Sequence, residues 1–195
     1  MGRTQQQRRE ETRAHLLDAA IATIIDMGYA RASAAVISRR AGVSDGALFK
    51  HFGTMSGFMA EVSLEVMRRQ LGEFAKLVAE IPSDRPALAG ALTALRDVTG
   101  NATNAVMYEL MVAARTDDTL RATLQAALGE YARNIYATAR AVPGADQLAS
   151  GQLEMVVTVL TNTFDGAALV RAVLPTPELE DRRIALLAEM LAAAR

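Results

Sequence analysis

The sequence predicts an all-α protein, and three observations carry that expectation. Of the 195 residues, 38 are Ala and 22 are Leu, both strong helix formers. The five prolines, Pro82, Pro86, Pro143, Pro175 and Pro177, separate long Ala/Leu-rich stretches instead of interrupting them, so they mark helix junctions. Apolar residues recur at helical spacing in segment after segment. The chain has no cysteine, which removes disulfide frameworks, thiolate metal sites and cysteine nucleophiles together and fits a reducing cytoplasm.

Charges such as Asp18, Asp26, Glu65 and Asp165 break every apolar run before the ~18 to 20 residues of a membrane span. Residues 1–11 are polar and lack the apolar core of a secretory signal. A soluble, cytoplasmic protein is expected, with no membrane partner.

The first strong helical period is Leu17, Ala20, Ile21 and Ile24, ended by Gly28. A second, short helix starts at Ser33 as N-cap and runs through Val36, Ile37 and Arg40 to Gly42. Ser44 can cap a third, Asp45 to about Phe52, whose Leu48, Phe49 and Phe52 are its anchors; two turns are stable only when packed on neighbours. A long helix follows from Thr54 to about Glu80. Others are expected from about Arg85 to Thr99, Ala102 to Arg115 and Asp117 to Ala141. The helix from Leu148 to about Val173 has Leu153, Val157, Leu160 and Phe164 on one face and Met155, Val159 and Leu169 elsewhere, so burial on more than one side is expected. After Pro175, Thr176 can cap a terminal helix with Pro177 at its first position, continuing through Ile184, Leu187 and Leu191.

Charge is unevenly divided. Residues 1–53 hold eight Lys/Arg against five Asp/Glu, for +3, and residues 54–195 hold thirteen against seventeen, for −4. Arg3, Arg8, Arg9 and Arg13 cluster at the start, as in a nucleic-acid-binding arm or a solvated tail. Between the second and third helices, Ala41-Gly42-Val43-Ser44 has a small residue for close approach, a glycine for the turn, an apolar plug and a cap. Three short helices with such a turn are the ingredients of a helix-turn-helix unit, although ordinary helical hairpins use the same residues.

The spacing of Leu16 to Ile25, Gly28-Tyr29, Ser33, Ile37, Ala41 to Ser44, Gly46, Leu48-Phe49, His51-Phe52 and Phe58 resembles the DNA-binding domain of tetracycline-repressor (TetR) family transcription regulators. The resemblance implies a helix-turn-helix DNA-binding domain over residues 1–53. It also implies a helical effector-binding and dimerisation domain over residues 54–195. The homodimer would bind a pseudo-palindromic, double-stranded DNA operator, and a small, largely apolar effector would release it. The paired reading heads of such a dimer must lie about 34 to 36 Å apart, or a multiple.

On that footing the DNA-facing residues are Ser33, Ser44, Asp45, Gly46, Ala47, Lys50, His51 and Thr54. Lys50 suits a guanine, Ala47 a thymine methyl and Asp45 a cytosine amine. Ser33, Ser44, His51 and Thr54 can donate to phosphate. Asp45 equally suits the helix dipole, and His51 a packed surface position. The family usually has Tyr at the position of Phe49 and Lys at that of Met55, so two phosphate contacts are missing and Asp45 adds repulsion. The effector-facing candidates are Met67, Met111, Tyr131 and Asn162: Met repacks around varied ligands, and polar groups on apolar helices need partners. The dimer candidates are Phe164, Gly166, Ala167 and Ala168, whose small members allow close helix crossing, together with Leu187 and Leu191; the resemblance places the last two helices at a four-helix subunit interface.

The only histidines are His15 and His51, so residues 54–195 cannot hold a two-histidine metal site or a Ser-His-Asp triad. No Gly-Lys phosphate loop is present. Neither a metal, a cofactor nor catalysis is expected. The alternative to a DNA-binding regulator is a helical ligand-binding or scaffolding protein whose N-terminal unit no longer engages DNA.

Overall fold

A computed structural model describes residues 4–82, 84, 86–145, 148 and 150–193. Among these residues there are helices and turns but no strand, so the fold is all-α. The order is α1 (Gln5–Met27), a 3-10 turn (Tyr29–Arg31), α2 (Ala34–Ala41), α3 (Asp45–Phe52), α4 (Met55–Ala79) and α5 (Ala87–Thr99). Then follow α6 (Ala102–Ala113), α7 (Asp118–Ala139), α8 (Ser150–Arg171) and α9 (Pro177–Ala193). The expected helices are all present, with ends shifted by up to a few residues. Two differ more. α1 begins about three turns earlier than its apolar period, because Thr4 builds a capping box: its Oγ1 accepts from the Gln7 N–H (3.2 Å) and its N–H donates to Gln7 Oε1 (2.8 Å). The arginine-rich start is therefore helical from Gln5 onward; Arg3 lies outside the described residues.

The second difference is α8. By length and composition, residues 151–171 are apolar enough to cross a membrane, contrary to the expectation that charges break every such run. Glu154 and Asp165 are its only acidic residues and are too widely spaced to interrupt it.

The chain forms two compact units, one of Met1–Arg68 with Ala102–Gly129 and one of Arg69–Asn101 with Glu130–Arg195. In the first, α1 packs on α2 and α6, and α2 on α3. Its core includes Leu16, Ala20, Ile24, Ile37, Leu48, Phe58 and Val62, all essentially inaccessible to solvent. α6 is tied to the corner after α1 by Glu109, whose carboxylate accepts from the Tyr29 N–H.

In the second unit α5 packs on α8 and α9. Leu92, Phe164 and Ile184 form its buried centre, with Leu88, Leu95, Leu160 and Leu187 against them. Gln70 and Asn101 exchange side-chain amide hydrogen bonds (3.0 and 2.9 Å), and Gln70 also donates to the Val98 carbonyl, which satisfies a polar side chain that is almost fully buried. Glu180, also buried, accepts from Arg183 at 2.7 Å and lies 3.6 Å from Arg171.

Candidate nucleic-acid interface

α2 starts where Ser33 turns the chain: its backbone is extended and its Oγ accepts from the Val36 N–H (3.4 Å). The helix stops at Gly42, which sits in the left-handed region (φ 70°, ψ 28°), where a β-carbon is opposed. The Gly42 and Val43 N–H groups close the end by donating to Arg39 (3.2 Å) and Ser38 (3.0 Å) carbonyls. Val43 is half-buried, as a plug between two helices should be.

Ser44 is the N-cap residue of α3 by backbone geometry, but its hydroxyl makes no capping hydrogen bond, contrary to the role read from sequence. That leaves the Ser44 O–H for a partner outside the helix. Leu48 is the single fully buried residue of α3. With about 100° of rotation per residue, Asp45, Phe49, Gly46 and Lys50 follow one another along a single arc from about 60° to about 200° away from Leu48, with Gly46 and Lys50 opposite it, and all four are exposed. Ala47 and His51 flank that arc and are half-buried. Thr54 ends the segment exposed. Its Oγ1 accepts from the Gly57 N–H (3.0 Å), and the hydroxyl proton stays available to donate. Gly57 matters here because a β-carbon would come within 3.1 Å of the Phe52 carbonyl and 3.2 Å of Thr54 Oγ1.

Arg13, grouped above with the N-terminal arm, is occupied inside the unit. Its guanidinium lies 4.5 Å from the centre of the Phe52 ring, donates to the His51 carbonyl (3.2 Å) and pairs with Glu61 (3.3 Å). Phe52 in turn packs on Phe58 at 4.6 Å between ring centres. Arg13 thus fixes the end of α3 between α1 and α4. Around His51, burial chiefly and then Arg9, Arg13 and Lys50 hold the imidazole pKa below its ordinary 6.5, so the ring is neutral in a cationic neighbourhood. Its Nδ1 is buried and has no hydrogen-bond partner among the described residues.

The eight proposed DNA-facing residues therefore lie along one short stretch, six of them exposed and two half-buried. Sequence reasoning missed Phe49 as an exposed residue, taking it for an anchor, and missed Arg39, exposed in the last turn of α2. The signal for Phe49 was its position one residue after Leu48, since neighbours on a helix do not share a face.

The four effector-facing candidates do not come together in one unit. Met67 and Met111 belong to the first, where Met67 is buried and Met111 exposed; Tyr131 and Asn162 belong to the second, where Tyr131 is half-buried and Asn162 exposed. Burial, aided by Asp165, pushes the Tyr131 phenol up to about 12, so it is a neutral hydrogen-bonding group. A cleft of about 310 Å³ in the second unit is lined by Pro86, Leu88, Pro143, Ala188 and Ala192 among others, and by none of the four.

α8 is apolar on two opposite faces. Leu153, Val157 and Phe164 point into the unit, while Met155, Val159, Gly166, Leu169 and Val170 form an exposed stripe, Met155 being 64% accessible. The expected burial on more than one side is thus absent among the described residues. Phe164, read as an interface residue, is only 1% exposed and fills the unit's own core, so it cannot reach a second chain without unpacking. Leu187 packs against the same core, and Leu191, Ala167 and Ala168 are half-buried. The outward stripe of α9 is instead Leu179, Leu186 and Met190.

Residues 16–62 match the family described as bacterial regulatory proteins, tetR family. The chain is 62% identical over 193 residues to HTH-type transcriptional regulators of Mycobacterium tuberculosis and Mycobacterium bovis, with 99% of each chain covered. Among solved structures it resembles a transcriptional regulator from Rhodococcus sp. (TM-score 0.70, 22% identity, 93% of this chain and 96% of that one). It also resembles the transcriptional regulator FadR from Bacillus subtilis in complex with stearoyl-CoA (TM-score 0.64, 16% identity, 91% and 96%). At those identities the two structures speak for the fold. Taken with the exposed α3 and the relatives matched along the whole chain, they lead to one assignment: the chain belongs to the tetR family of bacterial transcriptional regulators, DNA-binding proteins of the helix-turn-helix type.

Proposed function

We propose that the protein is a repressor that binds a pseudo-palindromic operator as a homodimer and leaves it when a small, largely apolar effector binds. The observation that carries the DNA half is the arc of α3 opposite Leu48, where Gly46 and Lys50 stand exposed beside a cationic surround. In this reading residues 1–53 are the DNA-binding part, and Lys50 donates to guanine from the exposed arc. Ser33, Ser44 and Thr54 donate to phosphate through their hydroxyls, and His51 does so through a ring N–H. Asp45 accepts from cytosine, and Gly46 and Ala47 let the backbone come close to the base edges.

Residues 54–195 are the effector-binding and dimerisation part. The exposed stripes of α8 and α9 support pairing with a second copy, because so much adjacent apolar surface is costly in water. Gly166, flanked by Ala167 and Ala168, allows close crossing, and Leu191 sits at the half-buried margin. For the effector, the neutral, half-buried Tyr131 is the polar contact, with Met67, Met111 and Asn162 as the other positions to vary. A long apolar acyl ligand held by the similar Bacillus subtilis regulator supports an apolar effector class. The test is selection of bound fragments from random duplex DNA, then titration at rising salt. Recovery of a two-fold-symmetric site whose affinity falls steeply with salt is the expected result. Failure to recover any preferred sequence would sink the reading.

A further inference from the structure

We infer that Phe49 reads sequence, packing its ring against the C5 methyl of a thymine in the major groove. The inference rests on the DNA-binding reading above and assigns one of its base contacts. Phe49 is 42% exposed on the same arc of α3 as Asp45, Gly46 and Lys50. It is the only large apolar side chain on that arc, because Ala47, the residue that sequence alone suggested for a thymine, is half-buried on the flank.

The ring has no atom that can donate to a phosphate or to a base. Asp45, one turn earlier on the same edge of the helix, is repelled by phosphates, so that edge is ill-suited to face the sugar–phosphate backbone. A major groove presents hydrogen-bonding edges throughout and one apolar feature, the thymine methyl. Phe49 is also isolated among polar or small exposed neighbours, Asp45, Gly46, Lys50 and Gly53, which does not make the apolar patch that a protein partner needs.

Deoxyuridine differs from thymidine by that methyl alone, and this supplies the experiment. A duplex recovered by selection with the full-length protein is resynthesised with each thymine replaced in turn by deoxyuridine. Binding is measured for the wild type, Phe49→Leu and Phe49→Ala. At one thymine per half-site the wild type is expected to lose about fourfold in affinity, the effect of one methyl-sized apolar group. Phe49→Ala is expected to bind more weakly and to be indifferent to that replacement, with Phe49→Leu in between. Wild-type indifference at every thymine, or unchanged sensitivity in Phe49→Ala, overturns the contact while DNA binding stands. Should Phe49→Ala unfold, Phe49→Leu decides: an undiminished penalty at that thymine overturns the inference. Recovery of no preferred duplex overturns the DNA-binding reading, and the inference with it.

Discussion

The DNA-binding end and the α8–α9 end of this protein solve opposite problems with similar helices. In residues 4–68 the short helices close on themselves: caps at Thr4, Ser33 and Thr54, a clamp at Arg13, and an inaccessible core leave only Ile25, Phe49 and Leu64 as large exposed apolar residues. In α8 and α9 seven large apolar side chains stand exposed, and Val173 and Leu174 add two more between them. One region is finished within a single chain and the other is not. A part that must present a rigid face to DNA gains from internal closure, whereas a part that self-associates must keep apolar surface open.

The widest test of that contrast is to charge the open region. Val159→Lys is expected to convert the proposed dimer to monomer without unfolding the chain, because Val159 is exposed on α8; sedimentation velocity reads the mass directly, and a persistent dimer would remove α8 from the seam. Leu48→Ala strikes the closed region. A fully buried Leu lost from a core costs about 2–5 kcal/mol, and since α3 has no other fully buried residue, operator binding should vanish with it; urea unfolding and DNA titration check the two effects.

Lys50→Ala is expected to cost about 1–3 kcal/mol of operator binding and to relax preference at one base position. Equal affinity and equal preference in a competitive selection would deny Lys50 that role. For Arg13→Ala, loss of the ring contact and the His51 carbonyl bond should lower stability by about 1 kcal/mol. A lower urea midpoint with unchanged dimer mass is the expected pattern.

The smallest effect concerns pH. Because the folded state lowers the His51 pKa below 6.5, the unfolded chain takes up the proton first. The associated stability is complete above about pH 6.5 and is lost as pH falls through the lower native value. His51→Gln should flatten this acid limb in thermal melts, and an unaltered limb would assign it to other groups.

Much of the closed region was legible in the sequence. Gly42, Ser33 and the spacing of Ile37 and Leu48 fix α2 and α3 through local stereochemistry, so their boundaries follow from residues only a few positions apart. Arg13 was not legible, since its partners Phe52 and Glu61 lie far along the chain and a guanidinium suits a phosphate equally well. Phe164 was misplaced for a different reason. α8 carries two apolar faces, and periodicity finds both without saying which one the chain covers itself.

Local chemistry thus determined the all-α class, the helix order, the turn between α2 and α3, and the family resemblance that residues 16–62 carry. The tertiary structure decided the competition between equivalent surfaces: which apolar face of α8 turns inward, whether Arg13 meets solvent or Phe52, and that Phe49 stands outside while Leu48 is enclosed. Burial is a property of the whole packing arrangement, and two faces of equal hydrophobicity are distinguished only by what the rest of the chain places against them.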